Sequence, residues 1–341
     1  VRSDCRLCQL QLTIVRRLPN MPAMDHLENQ TSQNVSSWEN YRNNLPRHLI
    51  ALARYLQSGL MHNLTELHGH RGLRLHFEPY ISLAAGRGVR LSELADKLAI
   101  SKQAVNQTIN QIERAGYLRR IPDHHDGRAK LAVLTNKGEK LLHDGAELLV
   151  KVEQEFSQLT SEQELKEFTR LLALLYRGME YPQPALAQGE AALGWLLPNF
   201  STQVMRELMA LTRARGHPGL KMSFGQVLTL MAPTGGRIQE MAAVNEVSKQ
   251  AISAIASELE LLGYLKRTAD PEDARQVILM LTLLGARLIE DSILSVAELQ
   301  TQFEVRVGKQ ELAAIQHTAE RLYNALGLDR ELAGHHISQT T

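Results

Sequence analysis

Apolar residues recur at helical spacing along most of the chain, and the pattern breaks at only a few points. In "LPRHLIALARYLQSGLMHNL", Leu49, Leu52, Ala53, Leu56 and Leu60 share one face, which predicts an amphipathic helix. "FEPYISLAA" predicts a second helix, with Pro79 in its first turn where a missing N–H is tolerated. "SELADKLAI" predicts a third, with Ser92 as N-cap. A fourth starts at Ser101: Val105, Ile109 and Ile112 lie on one face, Gln103, Asn106, Gln107, Asn110 and Arg114 on the other, and Gly116 ends it. The period then changes. "YLRRIPDHHDGRAKLAVLT" has strand-like ends and a charged centre, which predicts a β-hairpin. Two more amphipathic helices follow, the last preceded by Thr160 and Gln163 as a capping box.

The whole pattern then recurs. "SKQAVNQTINQIERAGYLRR" (101–120) returns as "SKQAISAIASELELLGYLKR" (248–267), an offset of 147 residues. The same offset pairs Gly69 with Gly216, Phe77 with Phe224, Arg90 with Arg237, Tyr117 with Tyr264, Thr135 with Thr282 and Gly138 with Gly285, without a gap. This is a tandem duplication of a whole domain. Pro182 and Pro184, amid Ala, Gln and Gly, stop any helix and mark the boundary. We expect domains at 31–180 and 181–330, a disordered or non-native leader at 1–30 and a disordered tail at 331–341. A chain of 341 residues suits two domains.

Two helices joined by a short turn and followed by a hairpin make a winged helix-turn-helix. The predicted fold class is therefore mainly α with small β wings: two tandem winged helix-turn-helix domains with long flanking dimerisation-type helices, related by a pseudo-two-fold. A B-DNA major groove admits one α-helix, and the second helix of such a pair enters it with its N-terminal residues at the base edges.

Each half resembles a MarR-family regulator. The resemblance rests on "LSELADKLAISKQAVNQTINQIERAGYLRR", "DHHDGR" and "LTNKGEKLL" in copy one. In copy two it rests on "IQEMAAVNEVSKQAISAIASELELLGYLKR", "DPEDAR" and "LTLLGARLI". It implies a transcription factor, usually a repressor, that binds a double-stranded DNA operator as a dimer through its first and last helices. It also implies release by a small, often aromatic, effector. The family's second wing Arg is replaced by Gly127 and Ala274, which puts one wing contact in doubt in each copy.

A dimeric reader needs two recognition helices about 34 Å apart, and a fused pair supplies both. The expected assembly is an intramolecular pseudo-dimer, with a homodimer of fused chains as the alternative. The copies differ in charge. Residues 101–130 carry six Lys/Arg against three Asp/Glu, and residues 248–277 carry four against five. Where copy one has Asn106, Gln107 and Asn110, side chains suited to adenine, copy two has Ser253, Ala254 and Ser257. The candidate DNA contacts in copy one are Ser101, Lys102, Gln103, Asn106, Gln107, Asn110, Arg119, Arg120, Arg128 and Lys130. In copy two they are Ser248, Lys249, Gln250, Ser253, Lys266, Arg267 and Arg275. Copy one is expected to dominate DNA reading.

Other features change the picture less. Trp38, Tyr41, Trp195 and Phe200, near the start of each first helix, are candidates for an effector pocket or for packing anchors. "DHHD" (123–126) and the set His62, His68, His70 and His76 are read as surface groups before metal ligands, and no metal or other cofactor is assigned. Cys5 and Cys8 are the only cysteines, so the body of the chain holds no disulfide, which suits a reducing cytoplasm. No stretch approaches the length of a membrane span. No phosphate loop, metalloprotease motif or nucleophile elbow appears, so the chain is not read as an enzyme. The alternative function is a ligand- or protein-binding module on the same scaffold that has lost DNA binding.

Overall fold

The computed structural model describes residues 38, 40–98, 100–123, 129–179, 192–245, 247–270 and 277–328. The expected leader, tail and Pro182–Pro184 boundary lie outside the described residues. So do Cys5, Cys8 and both hairpin tips, with His124, His125, Asp126, Gly127, Arg128, Ala274 and Arg275.

Copy one runs α1 (Leu45–His62), a π-helical turn (Asn63–Leu67), α2 (Glu78–Ala84), β1 (Val89–Arg90), α3 (Leu91–Leu98) and α4 (Lys102–Ala115). It continues with β2 (Leu118–Pro122), β3 (Lys130–Leu134), α5 (Asn136–Leu159) and α6 (Glu162–Arg177). Copy two repeats the order as α7 (Leu193–Ala214), α8 (Gly225–Leu228), β4 (Gly236–Arg237), α9 (Ile238–Val244) and α10 (Lys249–Leu261). Then come β5 (Leu265–Ala269), β6 (Val277–Leu281), α11 (Leu283–Val307) and α12 (Lys309–Ala325).

Each hairpin gains a two-residue strand that hydrophobic patterning did not reveal, giving antiparallel sheets ordered β1-β3-β2 and β4-β6-β5. The registers agree at the 147-residue offset. Val89 faces Ala132 as Gly236 faces Leu279, and Leu118 faces Leu134 as Leu265 faces Leu281. The added strand explains why Ser92 is not an N-cap. Pairing of Arg90 with Leu131 keeps the backbone extended up to Leu91, and α3 starts there, one residue before Ser92.

The capping box before α6 is also displaced. Ser161, not Thr160, is the N-cap and accepts from Glu164 N at 3.1 Å. The Thr160 hydroxyl donates back to Phe156 O at 2.9 Å and closes the end of α5. The Glu164 carboxylate accepts from Thr318 Oγ1 at 3.0 Å and Arg321 Nη1 at 2.9 Å, both on α12. Gly116 does end α4 in the left-handed region, at φ 84°. Gly138 and Gly285 have a different reason to be glycine: a Cβ there would collide with the carbonyl oxygen of Tyr117 or Tyr264.

Apolar side chains gather in three cores. Each winged lobe has its own: Phe77, Ile81, Val105, Ile109 and Tyr117 in copy one, and Phe224, Val227, Ile252, Leu259 and Tyr264 in copy two. The third is shared between copies. It joins Leu49 and Leu52 of α1, Phe156 of α5, Phe168 and Leu172 of α6, Leu196 and Phe200 of α7, Phe303 of α11, and Ile315 of α12. The packing is exchanged. His48 of α1 lies 4.5 Å from Tyr323 of α12, and Trp195 of α7 lies 5.8 Å from Tyr176 of α6. Those pairs are counterparts at the offset, so a pseudo-two-fold relates the copies. Each fully buried Leu or Phe contributes about 1.5–3 kcal/mol relative to exposure, and the shared core thereby ties the halves together.

Candidate nucleic-acid interface

Helix α4 owes its orientation to its apolar side. Val105, Ile109 and Ile112 are buried in the lobe core, which leaves Lys102, Gln103, Asn106, Gln107 and Asn110 exposed on the outer face. Ser101 starts the helix by accepting from Ala104 N at 3.1 Å. Asn106 Nδ2 donates to Lys102 O at 3.0 Å, so this side chain lies along its own helix. Arg119 on β2 and Lys130 on β3 are exposed on the wing.

Arg120 is placed differently from Arg119. Its guanidinium Nη1 donates to Glu113 Oε2 at 2.7 Å and Asn110 Oδ1 at 2.8 Å, while its backbone N–H donates to Glu113 Oε1 at 2.9 Å. It braces the wing against α4. Arg267 is held likewise: Nη1 donates to Glu260, and Nη2 reaches Ser253 O at 3.2 Å and Ser257 Oγ at 3.1 Å. Two of the cations read as phosphate contacts thus already have carboxylate partners. A second brace repeats in both copies. Arg90 Nε donates to Asp123 Oδ2 at 2.6 Å, and Arg237 Nε to Asp270 Oδ2 at 2.6 Å. Asp123 is only 4% exposed, and its N–H donates to Ala129 O at 3.0 Å just below the hairpin tip. The shared offset of Arg90/Arg237 and Asp123/Asp270 was the sequence signal for this ion pair.

Copy two presents another surface. Ser248 caps α10 by accepting from Ala251 N at 3.2 Å, and Lys249 Nζ donates to Gln239 Oε1 at 2.9 Å. Gln250 and Lys266 are exposed, and Ser253 is half-buried under Arg267. Further along, Leu261 is 88% and Leu283 92% exposed, where copy one has Arg114 and Asn136.

The histidines separate. His70 Nε2 and His68 Nδ1 meet Asp144 Oδ2 at 2.7 and 3.2 Å, with Lys140 Nζ at 2.5 Å. The Lys140 and His70 hydrogen bonds hold the Asp144 carboxyl down at about 2 against the opposing effect of burial. Copy two keeps the latch as His217 Nε2–Asp291 at 2.9 Å. His62 is exposed and His76 faces Gln111 at 3.4 Å. Among the described residues, no group of three or more His, Cys, Asp or Glu is placed to hold a metal ion. No described helix is long and apolar enough to cross a membrane. The four aromatic candidates form two groups rather than one. Trp38 and Tyr41 lie 5.7 Å apart, with Trp38 packed against the copy-two lobe core, whereas Trp195 and Phe200 belong to the shared core beside Tyr176.

Comparison with known proteins matches the sequence model of the MarR family twice, over residues 81–129 and 226–276. The HTH-type transcriptional regulator BilQ of Clostridioides difficile (strain CD3) is 27% identical over 92 residues, which are 27% of this chain and 62% of that protein. The chain therefore spans less than two thirds of that relative's length. Among solved structures, transcriptional regulator Tm0710 from Thermotoga maritima aligns at 21% identity over 38% of this chain and 92% of its own, with a TM-score of 0.30. Sco3205 from Streptomyces coelicolor, a MarR family transcriptional regulator solved in complex with DNA, aligns at 23% identity over 51% and 98%, with a TM-score of 0.24.

Proposed function

We propose that the chain carries two MarR-family winged helix-turn-helix domains in tandem, a reading supported by the family model's match to residues 81–129 and 226–276, and that it is a sequence-specific DNA-binding transcriptional regulator. The observation that carries this reading is the outer face of α4. Lys102, Gln103, Asn106, Gln107 and Asn110 stand exposed together on one face of the helix, and the wing that follows carries the exposed cations Arg119 and Lys130. Amide side chains in that position can read base edges, and the surrounding cations replace counterions on the phosphates.

In this reading copy one dominates affinity and base reading, and copy two acts mainly as its partner. The similarity to the transcriptional regulator BilQ supports a transcriptional role for this chain, and repression in the cytoplasm is its expected form. Domain limits at 31–180 and 181–330 belong to the same proposal, and so does release by a small aromatic effector. Trp38 with Tyr41 is the better effector contact of the two aromatic groups, because Phe200 is fully packed in the shared core.

The test is binding of the purified chain to fragments of its own upstream DNA across a salt series. Lys102→Ala and Arg119→Ala should each reduce the slope of log K against log[salt] by about 0.9, the loss of one phosphate contact. Lys249→Ala and Lys266→Ala should change it less. Equal effects in the two copies would overturn the dominance of copy one. Absence of selective binding at low salt would overturn the regulatory reading in favour of a ligand- or partner-binding module.

A further inference from the structure

We propose that Tyr41, Arg42, Arg47 and Arg54 form a clamp that fixes the copy-two winged lobe on the shared helical core, and that copy one's lobe has no equivalent among the described residues. All four residues come from copy one, at and just before α1, and all four reach backbone carbonyls of copy two. Tyr41 Oη donates to Leu228 O at 3.1 Å. Arg47 donates to Thr229 O through Nη1 and Nη2, at 3.0 and 2.9 Å. Arg42 Nη2 donates to Met231 O at 3.0 Å, and Arg54 Nη2 to Val244 O at 3.2 Å.

These carbonyls lie at or just beyond the C-terminal ends of α8 and α9. Helix C-termini leave carbonyls unpaired and carry partial negative charge, so guanidinium groups are the fitting partners. The arms are also packed in place: Arg47 lies over the Tyr41 ring at 5.1 Å and Arg42 over the Trp38 ring at 5.9 Å.

The duplication supplies an internal control. At the 147-residue offset the four clamp residues become Gln188, Gly189, Gly194 and Ser201. None is a cation or a phenol, so these four positions cannot offer the same arms to copy one's lobe. The joints differ as well. α1 enters lobe one through the π-helical turn Asn63–Leu67, whereas α7 stays α-helical through Ala214. Arg213 further ties the joint of lobe two by donating to Leu220 O, and its counterpart is Glu66. The His–Asp latch is present on both sides and does not account for the difference. If the DNA-reading proposal holds, on which this consequence rests, lobe two sets the frame and lobe one adjusts the spacing between recognition helices.

The clamp is tested without DNA, so its failure is separable from failure of the regulatory reading. Cys5 and Cys8 are replaced by Ser, and spin labels are placed at counterpart sites. One pair is Leu261→Cys with Lys309→Cys, from lobe two to the core. The other is Arg114→Cys with Glu162→Cys, from lobe one to the core. Double electron–electron resonance then reads the width of each distance distribution. We expect the lobe-two pair to be the narrower. Arg42→Ala with Arg47→Ala should broaden it towards the lobe-one width and leave the lobe-one pair unchanged. Arg47→Lys, a point charge without the guanidinium fork, should fall between. If the double variant does not fold, Tyr41→Phe and Arg54→Ala carry the same comparison. Equal widths in the parent, or no broadening in a folded variant, would overturn the proposal.

Discussion

His48 shows what one side chain contributes when it is enclosed between the two copies. It is buried in the shared core against Tyr323 and hydrogen-bonds Asn43 Oδ1 at 2.7 Å. Burial lowers its pKa from 6.5 to about 4, only partly opposed by Glu320, while Arg47 adds to the depression. Between those values the unfolded chain binds a proton that the folded chain refuses. Stability therefore rises with pH across that window and is lost as pH falls from about 6.5 towards 4. His48→Phe should flatten the dependence of the urea midpoint on pH over this range. An unchanged slope would mean that His48 does not carry it. The counterpart residue is Trp195, so an aromatic ring already serves at this position in the other copy. The helical period placed position 48 beside the buried face of α1, but it gave no indication that α12, more than 250 residues later in the chain, would close over it.

At the scale of the element, patterning located helices and hairpins well and their ends less well. The face of α4 was legible because Val105, Ile109 and Ile112 bury and the residues between them cannot. The start of α6 was misassigned by one residue because Thr160 and Ser161 are both capping residues. Only the geometry shows which hydroxyl meets the free N–H. Ser161→Ala should therefore cost about 1 kcal/mol of unfolding free energy, the usual loss of an N-cap, and Thr160→Ala distinctly less. A larger loss at Thr160 would reverse the assignment. Gly138 was visible as punctuation, and the structure supplies its reason in the Tyr117 carbonyl. Gly138→Ala should destabilise by about 1–3 kcal/mol through overpacking, measured by denaturant unfolding. A neutral result would show that the first turn of α5 can move away. The brace Glu113–Arg120 was not legible, since spacing alone does not distinguish a cation facing phosphate from one facing a carboxylate, and the Arg90–Asp123 brace was marked only by the recurrence of both residues at the offset.

The whole molecule is organised by a core that belongs to neither copy alone. Helices α1 and α7 pack on each other, and each also packs on the last helix of the other copy. Helices of both copies are thus enclosed in one core within a single chain. If this pairing is unimolecular, the thermal midpoint should not move when protein concentration changes by about a hundredfold, whereas an assembly of separate chains is stabilised by mass action. A midpoint that climbs with concentration would instead indicate a dimer of fused chains. The duplication was plain from the sequence, because the 147-residue register holds through glycines, aromatic residues and turns. The exchange of helices was not, because side chains that bury against a neighbour look the same whichever copy that neighbour comes from.

The constant offset also has a consequence for inheritance. In a two-chain dimer every codon change arrives twice, once in each subunit, and both half-sites must accept it. Here a change of Arg114 to Leu, or of Asn106 to Ser, falls on one side only. Leu261 and Ser253 already stand at those places on the other. Each copy can therefore change at a position without forcing the same change on its twin 147 residues away.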